Sequence, residues 1–224
     1  MASEIGANLA AVNDRIKKAA VRAGRPPADV RLIAVSKMHP PEALEQAKES
    51  GAAAFGENKV QEAEGKIDRL GRNFAEWHLI GHLQANKVRK AVRLFDLIHT
   101  VDSVELAERL ERICAEEGRR ELPVLIQVDL AGESNKAGIA EADLRGLADH
   151  IENCEHLRLR GLMLLPPHFD DPEKVRPYFR RLRELRDEIV PGGELSMGMS
   201  HDLEAAVEEG ATMVRVGTAI FGKR

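Results

Sequence analysis

The apolar periodicity of this chain switches repeatedly between short extended runs and helical spacings, and few folds can absorb that alternation. Ile5, Leu9, Val12 and Ile16 recur at helical spacing and Gly24 suits a helix stop, so the chain opens with an amphipathic helix. Residues 31–37 (RLIAVSK) form a short apolar run with strand propensity, and Pro41 begins a helix ending near Gly51. Strands follow near residues 53–55, 77–80, 97–101, 124–129, 157–164, 194–197 and 213–216. Helices fall between them at about 57–70, 85–94, 103–117, 141–151, a long stretch marked by Val175, Phe179, Leu182 and Ile189, and 202–209. Every strand but the last is followed by a clear helix. Strict alternation implies right-handed crossovers and a parallel sheet. Eight such units close most naturally into a single (β/α)8 TIM barrel, with the opening helix as an addition that covers its outside or one end. A doubly wound open sheet would want a glycine-rich first turn. Here the first strand runs instead into Ser36-Lys37-Met38-His39-Pro40.

The 224 residues sit at the short end for one barrel, and no linker divides them, so one domain over residues 1–224 is expected. The Gly/Pro-rich interruptions at 24–27, 166–167 and 191–193 are loop-sized. A net charge of -4 argues against a nucleic-acid partner. Arg180, Arg181, Arg183 and Arg186 are interleaved with Glu184 and Asp187, as on a solvated helix face. No apolar run approaches the roughly 20 residues of a membrane span, and the start lacks a signal peptide's pattern. Cys114 and Cys154 stand alone, each within an expected helix, without disulfide or metal spacing. A cytoplasmic protein with no membrane partner is expected.

Chemistry in such barrels gathers where the strands end. The first strand delivers Lys37. At the reference pKa a lysine is deprotonated only about once in 2,500 molecules at pH 7, and burial or a nearby cation would supply the amine that Schiff-base chemistry needs. A lysine snorkelling to the rim is the plainer alternative. Barrel phosphate sites recur in the loops after strands seven and eight. Ser196-Met197-Gly198-Met199-Ser200-His201-Asp202 and Val216-Gly217-Thr218-Ala219 occupy those loops, offering hydroxyl donors on Ser200 and Thr218 and close backbone approach at Gly217. Together they favour a phosphate site, although each alone could be a cap or a turn. Arg215 shares a strand face with Gly217 and can point inward, either to pair with Glu57 or Asp129 or to face a ligand's ring nitrogen. Glu57 and Asp129 could be an acid/base pair, but orienting loops or balancing the barrel's lysines and arginine suits them better. His78 and His82 lie in a strand and its loop without an acidic third ligand, so no metal is expected.

The motifs AVSKMHP around Lys37, FGENKVQEA at 55–63, WHLIGHLQANK at 77–87, HTVDS at 99–103 and VDLAGESNKAGI at 128–139 resemble the pyridoxal phosphate homeostasis proteins of the YggS/PROSC type. So do RGLM at 160–163, LSMGMSHDLEAA at 195–206 and VRVGTAIFG at 214–222. The resemblance spans nearly the whole chain. Small departures are Lys59, where relatives commonly carry tyrosine or arginine, and Leu164-Leu165 in place of a more polar pair. The resemblance implies a fold shared with the N-terminal barrel of alanine racemases and pyridoxal 5'-phosphate as ligand. It also implies a Schiff base on Lys37, phosphate contacts from Ser200, Gly217 and Thr218, Arg215 at the pyridine nitrogen, and Asn58 and Lys136 near the ring.

An arginine cannot accept a proton, so a ring nitrogen facing Arg215 stays neutral and stabilises carbanions weakly. Racemases of the related fold use a tyrosine from a second domain. No such domain is expected here, and Tyr178 is expected on the outside of the barrel. The expectation is therefore a non-enzyme that stores, buffers or delivers the cofactor, a monomer with pyridoxal phosphate-dependent apoenzymes as recipients. The alternatives are a weak racemase-like enzyme with His82 or His201 as second base, and a Schiff-base aldolase acting on a phosphorylated sugar.

Overall fold

A computed structural model describes residues 3–132 and 137–222. The strands are β1 (Arg31–Val35), β2 (Ala54–Glu57), β3 (Glu76–Leu79), β4 (Leu97–Val101), β5 (Leu122–Asp129), β6 (Ile139–Ala140), β7 (Leu157–Leu164), β8 (Glu194–Ser196) and β9 (Met213–Val216). The helices are α1 (Glu4–Arg22), α2 (Pro41–Glu49), α3 (Val60–Leu70), α4 (Val88–Leu94), α5 (Val104–Glu117), α6 (Leu144–Glu152), α7 (Arg176–Ile189), α8 (Leu203–Glu208) and α9 (Thr218–Phe221). All strand pairings are parallel, in the order β4-β3-β2-β1-β9-β8-β7-β5-β6, and β4 also pairs with β5. That last pairing closes eight strands into a TIM barrel and leaves the two-residue β6 as an appendage on β5.

Alternation along the strands sorts the apolar residues into two bodies. Ile33, Ala54, Leu97, Leu125, Met163 and Met213 form a small cluster of their own on the inward faces of the strands. Their strand neighbours, such as Ala34, Phe55, Ile98, Ile126, Leu162 and Val214, join the large core between sheet and helices. Helix α1 starts where the Ser3 hydroxyl accepts from the Gly6 N–H, and it buries Leu9, Val12, Ile16, Ala19 and Ala20. Placed outside the barrel, it packs against α8 and α9, the two helices that follow β8 and β9.

Some boundaries depart from the sequence reading. Residue 57 was expected to open a helix, yet Glu57 ends β2, because its main chain pairs with Leu79 and its carbonyl accepts from Ile80 N at 3.0 Å. Cys154 lies beyond the end of α6 rather than within it. The last strand does carry a helix, the single turn α9, whose N-cap is Gly217.

Candidate functional site

A cavity of about 330 Å³ opens at the C-terminal mouth of the barrel. Its walls bring together Lys37, Asn58, Ser200, Arg215, Gly217 and Thr218 with Val35, Ile80, Leu165, Met199 and His201. Lys136 lies outside the described residues.

Lys37 follows β1 by two residues and is half-buried. Its successor Met38 has φ 64°, a non-glycine residue in the left-handed region, a conformation that costs on the order of 1–3 kcal/mol unless its surroundings enforce it. The enforcement is visible. Lys66, on α3 and almost fully buried, donates to the Ser36 carbonyl at 2.7 Å, to Glu57 Oε1 at 2.6 Å and to Glu62 Oε1 at 2.8 Å. The Ser36 hydroxyl donates to Glu57 Oε1 at 2.5 Å, and the Met38 N–H donates to the Glu62 carboxylate. Burial raises the Glu57 carboxyl above its ordinary range despite Lys66. Burial also acts to raise Glu62, but the hydrogen bonds from Lys66 and the Met38 N–H prevail and hold it below the usual carboxylate range.

Glu57 is thus committed to Ser36 and Lys66, which removes the expected option of pairing with Arg215. Asp129 accepts from the N–H groups of Ala131 and Gly132 at 2.9 and 3.0 Å, so it orients its own loop. The two carboxylates belong to separate hydrogen-bonded groups and form no acid/base pair. Lys66, Glu62 and Ser36 went unnoticed in the sequence. The available signal was a lysine in register with Ala63 and Ile67 on the buried face of an amphipathic helix.

The loops after β8 and β9 meet at Ser200, whose hydroxyl accepts from Ala219 N–H in α9 at 3.4 Å. Gly198 has φ 91°, and a Cβ there would lie 2.5 Å from Ala206 Cβ, so glycine is required for the turn. Met199 N–H donates to Asp202 Oδ1 at 2.6 Å, while the Gly198 carbonyl accepts from Arg215 N at 2.9 Å. Asn58 is placed by another close approach, since a Cβ on Gly81 would come within 2.3 Å of the Asn58 carbonyl oxygen.

Arg215 is 3% exposed, and no carboxylate among the described residues lies within ion-pairing distance of it. Among the described residues, its guanidinium donates to Ser196 Oγ at 2.5 Å and to the Leu164 carbonyl at 2.8 Å. Burial lowers its pKa to about 10, partly offset by Asp202, which still leaves a cation at neutral pH. Behind it runs a chain of polar groups through the lumen: Ser196 Oγ to His99 Nδ1 at 2.8 Å, and His99 Nε2 to His78 Nδ1 at 2.8 Å. His78 Nε2 lies 3.1 Å from Glu76 Oε1. Burial drives the His99 imidazole well below its ordinary pKa, helped by His78, Arg215 and Arg31, so it is neutral. His82, by contrast, sits at the rim, 3.8 Å from Asp102. The two histidines therefore serve different places. The Lys37 amine, the hydroxyls of Ser200 and Thr218, and the buried Arg215 guanidinium facing one cavity fit an aldehyde-bearing aromatic phosphate.

Residues 7–224 match the family model for the alanine racemase N-terminal domain. The pyridoxal phosphate homeostasis protein of Pseudomonas aeruginosa is 45% identical over 223 residues, spanning 99% of this chain and 96% of that one. PipY of Synechococcus elongatus, in its structure with PLP bound, superposes with a TM-score of 0.81 at 43% identity, over 94% of this chain and 100% of that one. Alanine racemase from Corynebacterium glutamicum shares the fold, with a TM-score of 0.69 at 20% identity over 96% of this chain and 61% of that one.

Proposed function

This chain belongs to the pyridoxal phosphate homeostasis proteins, which carry the alanine racemase N-terminal domain, and on that premise we propose that it stores, buffers or delivers pyridoxal 5'-phosphate, held as a Schiff base on Lys37. The observation that carries this reading is that one cavity joins Lys37 to the paired loops at Ser200 and Gly217 and to Arg215. The cofactor supplies an aldehyde: one C=N bond to Nζ replaces C=O, one water leaves, and nothing is oxidised or reduced.

In this reading Ser200, Gly217 and Thr218 bind the phosphate, Asn58 and Lys136 flank the ring, and Arg215 faces its nitrogen. A buried guanidinium held by Ser196 and Leu164 keeps that nitrogen without a second positive charge, so the residues hold the ligand and add little catalytic power. Tyr178 supports a non-catalytic role, because it packs on Phe169 with ring centroids 5.9 Å apart and is absent from the cavity wall. The protein acts as a cytoplasmic monomer of one domain over residues 1–224, with apoenzymes as recipients.

A weak racemase-like activity is the second reading. His201 favours it, since it lines the cavity with Nε2 3.1 Å from the Asp170 carbonyl. Borohydride reduction followed by peptide mapping tests the first reading. The cofactor's mass is expected on the peptide holding Lys37, and Lys37→Ala should lose the imine absorption while staying folded. A label on another lysine would sink the assignment. Many turnovers of deuterium exchange at an amino acid's α-carbon would favour the second reading.

A further inference from the structure

The geometry points to Lys66 as a positioning residue: with Glu57 and Glu62 it fixes the two peptide groups that flank Lys37 and so aims the amine at the mouth of the barrel. This rests on the function proposed above. The ammonium has three N–H donors, and each is used: on the Ser36 carbonyl, on Glu57 and on Glu62. Ser36 is held a second time through its hydroxyl on Glu57. On the far side of Lys37, the Met38 N–H is held by the same Glu62 that Lys66 holds. A buried ion cluster therefore grips the chain immediately before and after Lys37, and Met38 sits in the left-handed region between those grips and the helix that begins at Pro41.

The expense of the arrangement argues that it serves more than cohesion. An apolar filling would seat α3 on β2 without a buried charge, and such replacements are often neutral or stabilising. What an apolar filling could not supply is a directed hold on a carbonyl and an N–H two residues apart. None of these three side chains lines the cavity, and the holds described here reach Lys37 through the backbone on either side of it.

Glu62→Ala removes the acceptor of the Met38 N–H at a partly exposed site, and Glu62→Gln keeps an oxygen there. Lys66→Met removes all three donors while keeping the apolar stem. For each variant, the rate of imine formation with pyridoxal phosphate is measured by stopped-flow absorption. In parallel, affinity is measured for pyridoxine phosphate, which has the ring and phosphate but no aldehyde. Glu62→Ala and Lys66→Met are expected to slow imine formation about tenfold or more, with Glu62→Gln within about threefold of the native rate. Pyridoxine phosphate affinity is expected to stay within about threefold throughout. Equal losses in both measurements, or no loss in either, would overturn the inference. Should Lys66→Met not fold, the two Glu62 variants decide by the same criterion. If borohydride fails to label Lys37 in the native protein, the proposed function itself fails; if the label is there and the variants form it at the native rate, only the positioning role falls.

Discussion

The guanidinium of Arg15, on the helix outside the barrel, donates to the carbonyl oxygen of Ser200 at 3.0 Å while gripping Glu204 through two further bonds of 2.6 and 2.8 Å. Seven residues earlier, Asn8 Nδ2 donates to the Ile220 carbonyl in α9 at 3.0 Å. Helix α1 thus braces both loops that meet at Ser200. The Arg15 and Glu204 side chains are 34% and 35% exposed, so the ion pair itself contributes at most about 1 kcal/mol to stability. Arg15→Ala is expected to shift a urea midpoint only slightly yet weaken pyridoxal phosphate binding by about threefold to tenfold, because Ser200 loses its backbone anchor. Equilibrium dialysis beside a urea titration checks both halves.

Gly81 makes a sharper case. A methyl group there would meet the Asn58 carbonyl oxygen at 2.3 Å, Asn58 Cα at 2.7 Å and its carbonyl carbon at 2.8 Å, all of them backbone atoms with little room to yield. Gly81→Ala is expected to destabilise the fold by about 1–3 kcal/mol through overpacking. It should also weaken ligand binding, since Asn58 lines the cavity. Thermal denaturation with and without ligand measures the two effects. An unchanged midpoint would mean that the loop after β3 moves aside.

These two cases mark what could and could not be seen in the sequence. The barrel was legible because apolar periodicity reports burial directly: the strands at residues 97–101, 157–164 and 213–216 coincide with β4, β7 and β9. The cavity's composition was legible because parallel barrels send strand ends to one face. Glu57 misled because the end of a short strand has no local mark: its main chain pairs with Leu79 and its carbonyl accepts from Ile80 N, contacts that only the neighbouring strand supplies. Arg15 and Lys66 escaped because their contacts join positions 185 and 30 residues apart, and no local pattern records such pairings. The lumen chain from Arg215 to His78 is invisible for the same reason: each member is an ordinary strand residue until closure brings β3, β4, β8 and β9 together.

Stability should carry the mark of that lumen chain. His99 is held neutral in the fold, with a pKa well below the ordinary imidazole value, chiefly by burial. Once unfolded it regains a value near 6.5. Between those two values the unfolded chain binds the extra proton, so stability is complete above about pH 6.5 and is lost as pH falls toward the depressed folded value. The slope approaches about 1.4 kcal/mol per pH unit at most. Glu57 runs the other way. Its folded pKa is raised, so its contribution is present below the usual carboxylate range and lost as pH rises through the raised value. Subtracting the curve of a His99→Gln variant, which keeps a donor and an acceptor toward His78 and Ser196, isolates the histidine. Urea denaturation from pH 5 to 7.5 is expected to show a flatter profile for the variant below about pH 6.5. Parallel curves would mean that His99 takes up its proton equally in the folded and unfolded chain.

Retention of the cofactor should depend more on its phosphate than on the Schiff base. An imine exchanges with any competing amine, whereas a phosphate dianion takes several hydrogen bonds together, each contributing about 1.5–3 kcal/mol when one partner is charged. The groups that meet at the junction of the two loops are the Ser200 and Thr218 hydroxyls and Gly217, with the Ala219 N–H donating to the Ser200 hydroxyl at 3.4 Å. Ser200→Ala removes one hydroxyl and is expected to weaken binding by about tenfold, equivalent to about 1.4 kcal/mol. Gly217→Asp should do far worse. Its Cβ would press on the Val35 carbonyl at 3.1 Å and Val35 Cβ at 3.2 Å, and its carboxylate would repel the dianion. Pyridoxal without its phosphate should bind the unaltered protein poorly. Equilibrium dialysis of pyridoxal and pyridoxal phosphate against the native protein and both variants is the measurement. Equal affinity for the two ligands would rule out Ser200, Gly217 and Thr218 as the anchor even if Lys37 carries the imine.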